Sequence, residues 1–194
     1  MSKENTNRSY RFKSGTKALM NVRKEMKSTS PILPLATFKN ILKNILNYLI
    51  KDEKIVEIPR FQKIYLDTFQ AFIESKLINI ISKSLKVCIH DGERITVKEI
   101  DILLVLDLLN YDFKDVKYID PDVVPENPIR KLSYRAGSKR ISKDAICVLK
   151  SLLINMCREI LEKSLIYMQY KHNKTLQLSD VKDSIRLIYN EEVY

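Results

Sequence analysis

The stretch FQKIYLDTFQAFIESKLINIISKSLKVCIH, residues 61–90, contains neither glycine nor proline. Phe61, Tyr65, Phe69, Phe72, Ile73, Leu77, Ile80, Ile81 and Leu85 recur along it at helical spacing, which marks one apolar face of an α-helix. Such a helix would run about 42 Å at 1.5 Å per residue. Asp91-Gly92 ends it. A lone helix of this length cannot hide its own apolar face, so it needs a partner of the same shape.

The partner lies downstream. Residues 144–171 form a second stretch without glycine or proline, with Ala145, Val148, Leu149, Leu152, Leu153, Met156, Ile160, Leu161, Leu165 and Ile166 as apolar positions. Shorter patterns flank both. Residues 34–50 predict a helix through Phe38, Ile41, Leu42, Ile45 and Leu49, with proline in its first turn. Thr96 as N-cap and Glu99 as the acid of a capping box predict a short helix to about residue 109. Residues 128–136 predict another, Gly137-Ser138-Lys139-Arg140 a loop, residues 172–176 a second loop, and a last helix ends near Tyr189. One constant offset sets Thr96 on Thr175, Val97 on Leu176, Asp101 on Asp180, and Arg60 on Lys139 beside Arg140. Each half therefore reads as short helix, loop, long helix, loop, short helix. With 3 glycines and 6 prolines there are too few turns for a sheet-rich fold, and the expected class is all-α.

Charge is placed rather than spread. The net charge is +10, which favours an anionic polymer or surface as partner. Charge alone does not separate that reading from a merely soluble basic protein; position decides more. Residues 1–30 hold eight basic and two acidic residues. Residues 1–14 read as a basic arm, and a short helix is expected over residues 15–27. Residues 112–127 are acidic and carry Pro121 and Pro125, so they read as a connector that stays off a duplex. The halves are then 15–111 and 128–194. Three cysteines (Cys88, Cys147, Cys157) and the lack of a leader-like start predict a reducing compartment. The longest apolar run, residues 100–109, is broken by Asp101 and Asp107, far from the ~18 residues of a membrane span.

The motifs resemble a known family. Arg11-Phe12-Lys13-Ser14-Gly15-Thr16, then Ala18-Leu19, Arg23-Lys24 and Lys27-Ser28-Thr29, resembles the start of the core of histone three. Arg60-Phe61-Gln62 resembles the beginning of that histone's long helix, and Arg94-Ile95-Thr96-Val97 with Asp101 its second loop and third helix. Ile129-Arg130-Lys131-Leu132, Arg135, Gly137 and Lys139-Arg140-Ile141-Ser142 resemble the first helix and loop of histone four. Lys174-Thr175 with Asp180-Val181 resembles its second loop and third helix. The order resembles the fused histone doublets of large DNA viruses. Frequent Lys, Ile, Asn and Tyr, whose codons are AT-rich, point the same way.

The resemblance implies two histone folds in tandem that pair intramolecularly as a histone heterodimer. It implies that the first loop of each half lies beside the second loop of the other, making two sites for double-stranded DNA. Arg60 and Arg140 match arginines inserted into the minor groove, where a planar, weakly hydrated cation fits. Thr96 and Thr175 match threonines at phosphates. Arg11, Lys13, Thr16, Phe61, Arg130, Lys131, Lys139, Ile141 and Lys174 match further DNA-contacting positions. Arg94 and Asp101 match an internal clamp that holds the second loop to the third helix. In the second half the matching pair is Asn173 and Asp180, so the arginine is missing and a hydrogen bond is expected instead. His90 matches a histidine where two copies meet in a four-helix bundle.

The implied function is a DNA-packaging core histone doublet. Its implied partners are DNA, a second copy through the first half, and histone two-A and two-B-like partners in the form of a second doublet. A viral chain would sit in the virion, viral factory or host nucleus, and any other in nuclear chromatin. The alternative is a histone-fold transcription or chromatin-assembly factor acting through protein contacts.

Departures from the family bear on this. The histone-four tail is replaced by the acidic connector, and the first arm is short. Pro34 and Asn40 stand where the family carries basic residues. Lys163 and Asp183 differ where histone four meets histone two-B. No Gly-rich phosphate loop is present, and His90 and His172 with scattered hydroxyls make no triad. Cys88 and His90 are too few for a metal site. No enzyme, cofactor or metal is expected.

Overall fold

The computed structural model describes residues 13, 15–51, 58–90, 94–111 and 123–191. Arg11, nearly all of the basic arm and most of the acidic connector lie outside them. The first half begins with α1 (Thr16–Lys27), α2 (Leu35–Lys51) and the short strand β1 (Arg60–Phe61). It continues through α3 (Lys63–His90), β2 (Thr96–Val97) and α4 (Glu99–Leu108). The second half has α5 (Glu126–Arg135), β3 (Arg140–Ile141), α6 (Lys143–Tyr170), β4 (Thr175–Leu176) and α7 (Leu178–Tyr189). This is the expected all-α architecture of two histone folds, with four two-residue strands where loops were expected.

Both long helices have 28 residues. Their starts are set by the strands before them: Arg60 and Phe61 are used in β1, so α3 opens at Lys63 rather than Phe61. Ser142 caps α6, its Oγ accepting from the Ala145 N–H at 3.1 Å. The chain runs from His90 to Thr96 between α3 and β2, but only from Tyr170 to Thr175 between α6 and β4. The first half thus has one residue more in this turn. The constant offset holds beyond Thr96, while the long helices stand one position away from it. Arg60 is therefore level with Arg140, not Lys139.

The halves interlock. α3 packs on α4 of its own half and on α5, α6 and α7 of the other. α6 packs on α7 and, across the pair, on α2, α3 and α4. One continuous core results, centred on side chains such as Phe38, Tyr65, Phe69, Leu152 and Ile160, all fully buried. Phe69 meets Phe38 and Tyr65 edge to face, at ring distances of 5.4 and 5.7 Å.

A polar anchor sits inside this apolar core. Glu74 on α3 is 5% exposed. Its carboxylate accepts from the Ile32 N–H through both oxygens at 3.0 Å, and from the Leu33 N–H and the Gln70 amide at 2.9 Å. Gln70 Nε2 also donates to the Leu33 carbonyl at 2.7 Å. Residues 32 and 33 have no helical partners for these groups just before α2 begins, and burial denies them water. Glu74 and Gln70 satisfy them, and so fix the lead-in to α2 and the course of the chain from α1. Arg135 ties down the same connection from the other half, donating to the Ser30 carbonyl at 2.8 Å.

Candidate nucleic-acid interface

Two parallel strand pairs place the candidate residues. β1 pairs with β4, setting Arg60 beside Thr175 and Phe61 beside Leu176. β2 pairs with β3, setting Thr96 beside Arg140 and Val97 beside Ile141. Each pair thus joins the first loop of one half to the second loop of the other. The Arg60 N–H donates to the Lys174 carbonyl and the Gln62 N–H to the Leu176 carbonyl, both at 3.2 Å. In the other pair the Ser142 N–H donates to the Val97 carbonyl at 3.0 Å. The backbone holds each arginine next to a threonine of the opposite half, and neither half can form such a site alone.

The side chains sort by exposure. Arg60, Lys139, Arg140 and Lys174 are exposed, while Thr96 and Thr175 are half-buried. Phe61 is half-buried with its ring 5.8 Å from Tyr65, so its side chain supports the core. Ile141 is half-buried as well, and Val97 and Leu176 are fully buried beneath the strands. Thr16 opens α1, and a cavity beside it is lined by Gly15, Ala18, Leu19, Ile95, Lys139 and Arg140. The start of α1 therefore joins the second strand pair, with Lys13 exposed nearby in sequence. Arg130 and Lys131 lie apart, on α5, where Arg130 pairs with Glu126 at 3.1 Å.

Both second loops are held by a buried aspartate. Asp101 is 2% exposed, takes the Arg94 guanidinium at 2.8 Å, and accepts the Lys98 N–H at 2.8 Å. It both caps α4 and clamps the loop. The expected cap at Thr96 with Glu99 does not form: Thr96 is committed to β2, and Lys98 is the N-cap residue. In the second half Asp180 is fully buried and accepts the Gln177 N–H at 2.8 Å. Its cation is Lys171, whose Nζ lies 2.7 Å from Asp180 and 3.5 Å from Asp183. The expected Asn173 bond is thus superseded by an ion pair from the end of α6. The sequence pattern does not mark Lys171, because it stands two residues before the position that matches Arg94.

The hydrogen bond to Asp180 raises the Lys171 pKa above its ordinary value. The pair therefore contributes fully below the usual lysine range and is lost only as pH rises through the still higher folded value. Lys171→Ala should cost about 1–2 kcal/mol, discounted for its partly exposed side chain, or roughly 2–8 °C in Tm. Lys171→Arg should retain most of it. Thermal melts at neutral pH check this, and equal melts for wild type and alanine would remove Lys171 from the clamp.

None of the three cysteines forms a disulfide, and Cys88 and Cys157 are buried. Among the described residues no group of three or more His, Cys, Asp or Glu could hold a metal. No helix among them is long and apolar enough to cross a membrane.

No family model matches the chain. Among solved structures it is similar to the histone from Methanopyrus kandleri, with a TM-score of 0.62 and 22% identity. The similarity covers 80% of this chain and 94% of that one. Such coverage exceeds either half alone, so the likeness extends to the interlocked arrangement, and the fold of this chain is the histone fold.

Proposed function

We propose that the chain is a DNA-packaging core histone doublet, its halves 15–111 and 128–194 acting as a preformed pair joined by the acidic connector. It wraps double-stranded DNA into nucleosome-like particles through sequence-independent contacts. The observation that carries this reading is the pair of two-stranded ladders, each presenting an exposed arginine beside a threonine of the other half. Exposed Lys139 and Lys174 add charge at the same two places. Arg60 and Arg140 enter the minor groove, and Thr96, Thr175, Lys139, Lys174 and Thr16 meet phosphates. The fused arrangement resembles the histone doublets of large DNA viruses, and in this reading the chain acts in chromatin or its viral equivalent rather than as an enzyme.

A second copy docks through the first half. α4 is apolar on both sides: Ile102, Val105 and Leu106 are buried, while Ile100, Leu104 and Leu108 are 67%, 45% and 69% exposed. A helix with apolar residues on two opposite faces is made to be covered on both. His90 and Ile100 line a shallow cavity at this face together with Val87, Asp101 and Leu104. Leu104→Lys with Leu108→Lys should abolish association through this face while leaving the thermal melt unchanged. Sedimentation velocity without DNA reads the loss, and an unaltered mass distribution would count against the face. A further histone pair docks on the second half.

The exposed face of α4 also suits a chromatin-assembly factor that works through protein contacts. Micrococcal nuclease digestion of reconstituted particles separates the two readings. A discrete protected length supports packaging. Its absence, or a preference of ~10³-fold for one DNA sequence, overturns it.

A further inference from the structure

We propose that His172 is a further phosphate contact whose charge is set by pH, so that the second loop of the second half grips DNA more tightly as pH falls. The proposal rests on the packaging reading and adds a titratable residue to the interface that reading names.

The backbone at His172 is the first observation. Lys171 ends α6, and the N–H groups of His172 and Asn173 donate to the carbonyls of Gln169 and Met168 at 2.9 and 3.0 Å. This pair of bonds closes a helix when the residue after its cap is left-handed, a place taken by glycine first and asparagine second. His172 occupies it with a φ of 52°. The other left-handed residues among those described are Gly15, Gly137, Asn110 and Asn190. A ring is thus kept where a residue without Cβ would sit with less strain, and retained strain points to a use for the side chain.

The placement of the turn is the second. His172 and Lys174 are exposed, with Asn173 half-buried between them and Thr175 half-buried after them. The Lys174 carbonyl accepts from the Arg60 N–H at 3.2 Å, so the turn runs directly into the ladder of β1 and β4. Two residues span at most about 7 Å, which keeps His172 beside the lysine and threonine assigned to phosphates.

The surrounding charges fix the direction of the effect. The turn itself brings Tyr170, Lys171 and Lys174, α7 brings Asp180 and Asp183, and the facing strand and the start of α3 bring Arg60 and Lys63. Lys171 takes both aspartates, at 2.7 and 3.5 Å. Lys174 and Arg60 are exposed and draw phosphates to the same place. An anion within a few ångströms favours the protonated imidazole. DNA binding therefore takes up a proton at His172. By linkage, affinity is greatest where the ring is already protonated and falls as pH rises through the ordinary histidine range. The chain has 2 histidines. The other, His90, lines a cavity with Val87, Ile100, Asp101 and Leu104 at the end of α3, which makes it the internal control.

The test is fluorescence anisotropy of the full chain on a short duplex of mixed sequence, across a salt series between about pH 5.5 and 7.5. Wild type should bind about 3- to 10-fold more tightly at the acid end, with a slope of log K against log salt steeper by about 1. His172→Gln should remove both differences, and His90→Gln should keep them. His172→Lys should hold the tight, steep binding across the whole range. His172→Gly should bind like the glutamine variant yet melt at or above the wild-type temperature, because glycine relieves the left-handed strain. A residue needed only to shape the turn would lose binding and stability together.

A glutamine variant with the wild-type pH dependence overturns the inference, as does a lysine variant that weakens as pH rises. Wild-type binding that is flat across the range also overturns it and leaves the packaging reading standing. Failure of the wild-type chain to bind duplex DNA at any pH sinks the packaging reading and this inference with it.

Discussion

Arg60→Ala combined with Arg140→Ala should weaken binding to duplex DNA by about two to three orders of magnitude, with helicity unchanged. The proposed minor-groove role assigns each arginine charge-assisted contacts of about 1.5–2 kcal/mol in a groove where water is partly excluded. Both side chains are exposed and sit at strand pairs held by backbone hydrogen bonds, so truncation leaves the fold intact. The slope of log K against log salt should also fall by about 2, one contact for each residue removed. Arg→Lys at both sites should recover the slope but only part of the affinity, because lysine keeps the charge and loses the planar fork. Fluorescence anisotropy across a salt series reads both quantities. Unchanged slope and affinity would falsify the assignment of these two residues to the interface.

The largest effect on stability is expected at Glu74. Glu74→Ala leaves two buried backbone N–H groups and the Gln70 amide without their acceptor. At about 1–3 kcal/mol for each unsatisfied group, the loss is roughly 3–5 kcal/mol, a large part of the 5–15 kcal/mol typical of a whole fold. Glu74→Gln should fall between, since one amide oxygen can still accept from Leu33 while its NH2 faces other donors. Urea midpoints should therefore run wild type, glutamine, alanine in falling order. An alanine variant with the wild-type midpoint would exclude Glu74 as the anchor. Because this anchor steers the chain between α1 and α2, the alanine variant should also loosen α1 beside Arg140, and weaken DNA binding more at the second strand pair than at the first.

The contrast between these two predictions shows what was legible in the sequence. The placement of Arg60 and Arg140 beside a loop of the opposite half is legible because they stand just before long segments free of glycine and proline, and the resemblance marks both positions. The helices were readable for the same reason, to within two or three residues at their ends. Glu74 was not, because one acid in an apolar helix face reads as a solvent-facing position. Its burial follows from the orphan N–H groups of residues 32 and 33, which exist only once the chain has folded back on α3. The cap at Thr96 failed because the Thr-to-Glu spacing competes with a better acceptor, the buried Asp101, and because Thr96 is already bonded to its strand partner. Lys171 is not legible as the clamp because its flexible side chain, at a helix end, reaches the carboxylate from a position that does not match Arg94. The extra residue in the first half's turn shifted the comparison of the two long helices by one. Periodicity is a local signal, whereas buried acceptors are chosen by the tertiary structure.

The crossed strand pairing also sets an order of assembly. Thr96 and Arg140 are much closer along the chain than Arg60 and Thr175, and loop closure costs more entropy as the intervening chain lengthens. Their ladder can close as soon as the start of α6 is made. The ladder of Arg60 and Thr175 must wait for nearly the whole protein to be synthesised. Until then α3 lacks the part of its cover that α7 supplies, and a nascent or truncated chain is exposed to aggregation. Non-local pairing of this kind slows folding relative to a simple helical bundle of the same size. Refolding should accordingly show native contacts around Thr96 before those around Arg60, with competence for DNA arriving only in the later phase.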